Sequence, residues 1–128
     1  MVKLDQIVAV VDDDESVRRA IKRLLRSVGI EAETFPSGEA FLDRLSSAPS
    51  CRPACAIVDF EMPGISGLEL LRRLAPAGVP VILMTGNDAP VVCEEALAIG
   101  AAGCLRKPIN GDALMRGVEE ALEQRQLP

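Results

Sequence analysis

Three runs in this chain, Ile7-Val8-Ala9-Val10-Val11, Cys55-Ala56-Ile57-Val58 and Val79 to Met84, are apolar throughout and do not alternate with polar residues. A strand with one wet face alternates; one covered on both faces has no reason to. The runs therefore read as interior strands of a sheet with helices on both sides. Each then stops in a polar residue: Asp12 after the first, Asp59 after the second, Thr85 after the third. A buried strand has no use for an unpaired carboxylate, so Asp59 belongs at the strand's mouth.

The segments between these runs have helical period. Val17, Ala20, Ile21, Leu24, Leu25 and Val28 fall at i, i+3, i+4, i+7 spacing, while Arg18, Arg19, Lys22, Arg23 and Arg26 take the other face. Gly29 is placed to end that helix, and Asp14 to cap its start. A short, more polar second strand, Glu31 to Phe35, suits a sheet edge. Ser37 can cap a helix through Ala40, Phe41, Leu42 and Leu45, and the prolines and serines of Ser46 to Pro53 read as a loop. Helices over about Ser66–Leu74, Ala89–Ile99 and Gly111–Gln124 follow the later strands, of which Gly103 to Arg106 is the fifth. Strand then helix, five times over, implies an α/β fold: an open, doubly wound, five-stranded parallel sheet with right-handed crossovers. All strand C-terminal ends then share one edge, the edge where such folds bind ligands. Asp12, Asp13, Asp59, Thr85 and Lys107 all follow or end strands there.

At 128 residues the chain fits a single domain, with a structured core expected over about residues 4–124. No apolar run reaches the ~18 residues of a membrane span, and the first residues lack the pattern of a signal peptide, so a cytoplasmic location is expected. The formal charge of −5 argues against direct nucleic-acid binding. There is no histidine, which removes Ser-His and Cys-His catalysis and leaves zinc dependent on all four thiols. Cys51, Cys55, Cys93 and Cys104 are better read as small buried hydrophobes.

Three carboxylates gathered at one edge repel one another and invite a hard, oxygen-loving cation. Mg²⁺ suits them, since it takes one or two carboxylates, keeps several waters and shares a phosphate oxygen. The bland reading of Asp12 to Glu15 is compensation of a helix N-terminus, worth ~0.3–1 kcal/mol per acid, and that reading suits Asp14 best. The Asp59 carboxylate could act as a nucleophile toward phosphorus. Lys107 could supply a flexible counter-charge and Thr85 a donor to a phosphoryl oxygen. By themselves, Lys107 is equally a surface lysine and Thr85 a turn residue.

The set Val10-Val11-Asp12-Asp13, Val58-Asp59-Phe60-Glu61-Met62-Pro63-Gly64, Met84-Thr85-Gly86 and Lys107-Pro108 resembles the receiver domain of two-component response regulators. The resemblance covers the whole chain in order. Pro36 to Leu42 and the Met-Pro-Gly turn look most like the FixJ/NarL-type branch. It implies a flavodoxin-like sheet of strand order 2-1-3-4-5 and a phosphorylation-activated switch. Asp59 would accept a phosphoryl group from a sensor histidine kinase or phosphotransfer protein. Asp12 and Asp13, Asp13 more directly, would hold Mg²⁺ together with Asp59 and the backbone carbonyl of Glu61. Thr85 and Lys107 would contact the phosphoryl group. The chain would not be an enzyme beyond slow self-dephosphorylation, which Glu61 is placed to tune. Further partners of such a domain are an output domain, as in a transcription regulator, a downstream protein, or a second copy joined on phosphorylation.

Two departures from the family stand out. Cys104 occupies the place of the usual Tyr or Phe on the fifth strand, and Ile109 stands where Phe is common. The phosphoryl chemistry uses neither. The signal is therefore expected to leave through Thr85 and its loop, without a ring switch, toward the fourth helix, fifth strand and fifth helix. Two other readings exist. A receiver-like interaction module that works without phosphorylation would not need the intact five-residue set. A Mg²⁺-dependent phosphohydrolase would need a general acid, for which only Glu61 is placed, and a cap over its substrate.

Overall fold

A computed structural model describes residues 7–47, 52–86 and 90–126. In chain order the elements are β1 (Val8–Val11), α1 (Glu15–Ser27), β2 (Ala32–Phe35), α2 (Gly38–Ser47) and β3 (Cys55–Asp59). They continue with α3 (Gly67–Leu74), β4 (Val81–Thr85), α4 (Pro90–Ile99), β5 (Gly103–Arg106) and α5 (Gly111–Gln126). The strands form one five-stranded sheet in the order β2-β1-β3-β4-β5, every pair parallel. The doubly wound sheet and its strand order are as the sequence implied. The start of the expected structured core at residue 4, Cys51 and the helix start at Ala89 lie outside the described residues.

The pleat sorts the apolar runs into two cores. Ala9, Val11, Ala56, Val58, Val81 and Leu83 face α2, α3 and α4, where Phe41, Leu70, Leu71, Leu74 and Ala96 meet them. Val8, Val10, Cys55, Ile57, Ile82 and Met84 face α1 and α5, against Ile21, Leu25, Leu114, Val118 and Ala121. Each fully buried aliphatic side chain contributes roughly 1.5–3 kcal/mol, so strand residues facing either core carry weight. This explains why the central runs do not alternate.

The caps form where the sequence places them. The Asp14 carboxylate accepts from the Ser16 N–H at 2.9 Å and Ser37 Oγ from the Ala40 N–H at 3.0 Å; Ser66, expected only as the start of α3, is a further cap, its Oγ accepting from the Glu69 N–H at 3.2 Å. Gly29, at φ 82°, lets the chain leave α1 in the left-handed region, just past the terminal Val28.

Three expectations need correction. Ala20 and Val28 are exposed, because the buried stripe of α1 is narrower than the six-residue pattern and centres on Ile21 and Leu25. On α3, where Leu68, Leu71 and Leu74 stand at helical spacing in the sequence, the fully buried leucines are Leu70, Leu71 and Leu74, with Leu68 only partly covered. The third concerns the cysteines. Cys55 is the small buried hydrophobe expected, but Cys93 and Cys104 are bonded as a disulfide joining α4 to β5. Spacing in sequence could not reveal this, since it is the packing of α4 on the sheet that brings the two together.

Candidate functional site

The parallel sheet carries β1, β3, β4 and β5 to a common edge, and four of the five singled-out residues stand at their ends. Asp12 follows β1 directly, Asp59 and Thr85 are the last residues of β3 and β4, and Lys107 comes just after β5. Backbone bonds fix this edge. The Asp12 N–H donates to the Phe35 carbonyl at 3.1 Å, Phe60 N–H to Met84 at 2.7 Å, and Lys107 N–H to Thr85 at 2.8 Å. The Lys107–Pro108 peptide is cis.

Asp12, Asp59 and Thr85 are buried, at 0%, 4% and 1% exposure, whereas Asp13 is exposed. Carboxylate oxygens of Asp12, Asp13 and Asp59 lie within 4.8 Å of one another. Lys107 Nζ stands between two of them, 3.0 Å from Asp12 Oδ2 and 3.1 Å from Asp59 Oδ1. The other Asp12 oxygen accepts from the Asp14 N–H at 2.8 Å. A buried acid requires such partners, because an isolated charge in the interior is costly.

Burial, chiefly, pushes the Asp59 carboxyl above the ordinary aspartate range. The lysine hydrogen bond opposes that shift, while the charges of Asp12 and Asp13 add to it. For Lys107, burial acts to lower the pKa, but the hydrogen bonds to Asp12 and Asp59 outweigh it and the net direction is upward. The two directions are compatible: one ammonium is shared among several acids and does not fully compensate Asp59. The edge holds more negative charge than its own cation balances.

Thr85 adds a second unmet demand. Its Oγ1 is the one buried side-chain polar atom, among the described residues, that lacks a hydrogen-bond partner. A hydroxyl left that way costs about 1–3 kcal/mol, so Thr85 Oγ1 is free to donate to a further group. The donor set, three carboxylates without nitrogen or sulfur, fits a hard divalent cation such as Mg²⁺. Glu61 is exposed in the loop after β3, and its side chain is not one of the three converging acids.

Sequence reasoning missed two supports. Arg18, read there as part of a solvated face, turns back from α1 and donates to the Asp12 carbonyl at 2.7 Å. Its position one turn into the helix after Asp12 was the available signal. Gly67 is the other. A Cβ there would press on the Asp59 carbonyl and stand 2.8 Å from Phe60 Cα, so only glycine lets α3 start so close to the acidic residue.

The model of the response regulator receiver domain family matches residues 8–119. The chain belongs to this family. It is 36% identical over 117 residues to the transcriptional regulatory protein FixJ of Bradyrhizobium diazoefficiens, covering 90% of this chain and 56% of that protein. The FixJ protein of Azorhizobium caulinodans is 41% identical over 117 residues, with 90% and 54% covered. The chain thus spans about half the length of the curated relatives it matches. Among solved structures, a response regulator receiver protein from Burkholderia phymatum is 56% identical with a TM-score of 0.84, covering 91% of this chain and 94% of that one. The structure described as FixJ-N is 33% identical with a TM-score of 0.82 and 97% of each chain covered. This receiver domain has the family's fold and, at its expected edge, an acidic group able to hold a metal.

Proposed function

We propose that the domain is a phosphorylation-activated switch of a two-component phosphorelay, with Asp59 as the phosphoacceptor. The observation that carries this is the convergence of the Asp12, Asp13 and Asp59 carboxylates at one edge, where the single Lys107 ammonium pairs, among the described residues, with Asp12 and Asp59 alone. Mg²⁺ would be held by Asp12, Asp13, Asp59 and the Glu61 backbone carbonyl. Bound there, it offsets the charge of the carboxylates and of the phosphoryl oxygens.

The chain's own residues do the rest. An Asp59 oxygen attacks the phosphorus of a phosphohistidine on a sensor histidine kinase or phosphotransfer protein; the P–N bond breaks and an acyl phosphate forms. Lys107 turns from the carboxylates to a phosphoryl oxygen, as its flexible stem allows. Thr85 Oγ1 donates to another and so gains the partner it lacks. Beyond slow self-dephosphorylation, tuned by Glu61 at the mouth of the site, the domain performs no turnover. The response leaves through α4, β5 and α5, toward an output domain, a downstream protein or a second phosphorylated copy. The names of the relatives support a regulatory role within a transcription regulator; the location that suits such a role is the cytoplasm.

Incubation with acetyl phosphate and Mg²⁺, followed by intact mass measurement, tests this. One added phosphoryl group is expected, absent in Asp59→Ala and without Mg²⁺. No mass gain in the unaltered chain would refute the proposal.

A further inference from the structure

The cysteine pair on the α4–β5 side serves neither the acidic site nor the cores as a simple hydrophobe. Cys93 lies on the first turn of α4 and Cys104 is the second residue of β5. Their Cα atoms are 5.7 Å apart and their sulfurs are bonded. That separation is one a disulfide spans without backbone movement. Both residues are only partly covered, so a small thiol reagent can approach. Cys55, the free cysteine among the described residues, is different. It is wholly buried on β3, and desolvation pushes its thiol up to about 12, which removes it as a competing thiolate.

The position of the bond gives it a consequence. Cys104 pairs in register with Leu83 on β4, and Arg106 with Thr85, just before Lys107. Cys93 lies on the helix that follows Thr85. The bond therefore joins the helix after one proposed phosphoryl-contacting residue to the strand that leads into the other. Besides this bond, α4 is held by Val92 and Ile99, partly buried against the core, and by an Arg72–Glu95 ion pair at 3.5 Å. Ala96 is its one fully buried residue among those described, while Val91 is 71% and Leu97 52% exposed. A covalent tie between a sparsely buried helix and the edge strand decides whether the two can move apart.

We propose that Cys93 and Cys104 are a reversible thiol–disulfide site whose oxidised form clamps α4 to β5 and whose reduction frees α4 to answer phosphorylation at Asp59. The last clause rests on the phosphoacceptor reading above. The oxidant is a low-molecular-weight disulfide, RSSR. One cysteine thiolate attacks it, breaks its S–S bond and expels RS⁻, leaving a mixed disulfide. The second thiolate attacks the protein-side sulfur, forms the Cys93–Cys104 bond and expels a second RS⁻. Two protein thiols lose two protons and two electrons, and the reagent becomes two RSH. A dithiol reverses the sequence. By linkage, a phosphorylated state that needs α4 displaced must also favour reduction.

The test uses the full chain in glutathione and glutathione-disulfide mixtures, quenched with N-ethylmaleimide and mapped by peptide mass. At the oxidising end Cys93 and Cys104 should be linked and unlabelled; at the reducing end both should carry label, and Cys93→Ser should never yield the linked peptide. Amide hydrogen exchange is followed in both redox states, with and without acetyl phosphate and Mg²⁺, and intact mass records Asp59 phosphorylation in the same samples. Reduction should speed exchange across α4 severalfold, and phosphorylation should alter α4 in the reduced chain only. Labelling of both cysteines at every ratio, or identical α4 exchange in both redox states, would overturn the proposal. If no phosphoryl group is added in either state, the phosphoacceptor reading is what fails. The clamp then stands or falls on the redox-dependent exchange alone.

Discussion

The β1–α1 side of the molecule and the α4–β5 side are built to different standards. All four residues of β1 are buried, and α1 is sharply amphipathic, capped by Asp14 and anchored by Ile21 and Leu25. The residues of β5 are partly or fully exposed, and α4 shows no acidic residue in its first turn and no basic residue in its last. Val91 and Leu97 of α4 point to solvent, and a disulfide stands where packing is thin. The first side has consistent local signals and acts as scaffold. The second buries less of its surface, as the response proposed for α4 and β5 would require. Lys107 joins the two, reaching from the end of β5 to Asp12 after β1 and Asp59 at the end of β3.

Perturbations on the two sides should differ accordingly. The largest effect is expected from Leu25→Ala, which opens a cavity under α1 and should cost about 2–5 kcal/mol by denaturant titration. A loss as large from Leu97→Ala would erase the contrast. Next comes Lys107→Ala in chelator-containing buffer near neutral pH. It strips the counter-charge from two buried acids and should cost about 1–3 kcal/mol, part of which returns on adding Mg²⁺. Melting temperature with and without the cation measures both quantities.

Asp59→Asn should act in the opposite direction. Because the folded-state pKa of Asp59 is raised, the native chain holds that proton more tightly than the unfolded chain. Stability therefore falls as pH rises through the window between the ordinary carboxylate value and the raised one. Without metal near neutral pH, the asparagine variant should melt a few degrees higher, on the scale of ~1 kcal/mol, and the gain should vanish in acid. An advantage that persists unchanged below the ordinary carboxylate pKa would contradict this account. The smallest effect belongs to Leu97→Ser, expected to stay within about 0.5 kcal/mol by the same denaturant titration.

How much of this was legible in sequence follows the same division. The unalternating runs of β1 and β3 and the caps Asp14 and Ser37 gave sheet, crossovers and edge, because burial and capping leave local patterns. Asp12, Asp13, Asp59, Thr85 and Lys107 could be gathered at one edge, since parallel strands put their C-termini together. The unpartnered state of Thr85 Oγ1, the reach of Arg18 to the Asp12 carbonyl and the closeness of Gly67 to Asp59 were not legible. They depend on distances across elements, which spacing along the chain does not encode. The Cys93–Cys104 bond was missed for the same reason, and it lies where local signals are weakest.

The most direct test of a fixed side and a responsive side is a map of amide chemical shifts in reductant, before and after adding acetyl phosphate and Mg²⁺, with Asp59→Ala as control. Changes should be concentrated from Thr85 to Leu122, apart from the immediate neighbours of Asp59, and be absent in the variant. An unchanged Thr85–Leu122 region in a chain shown by mass to be phosphorylated, or equal changes across β1, α1 and β2, would contradict the account.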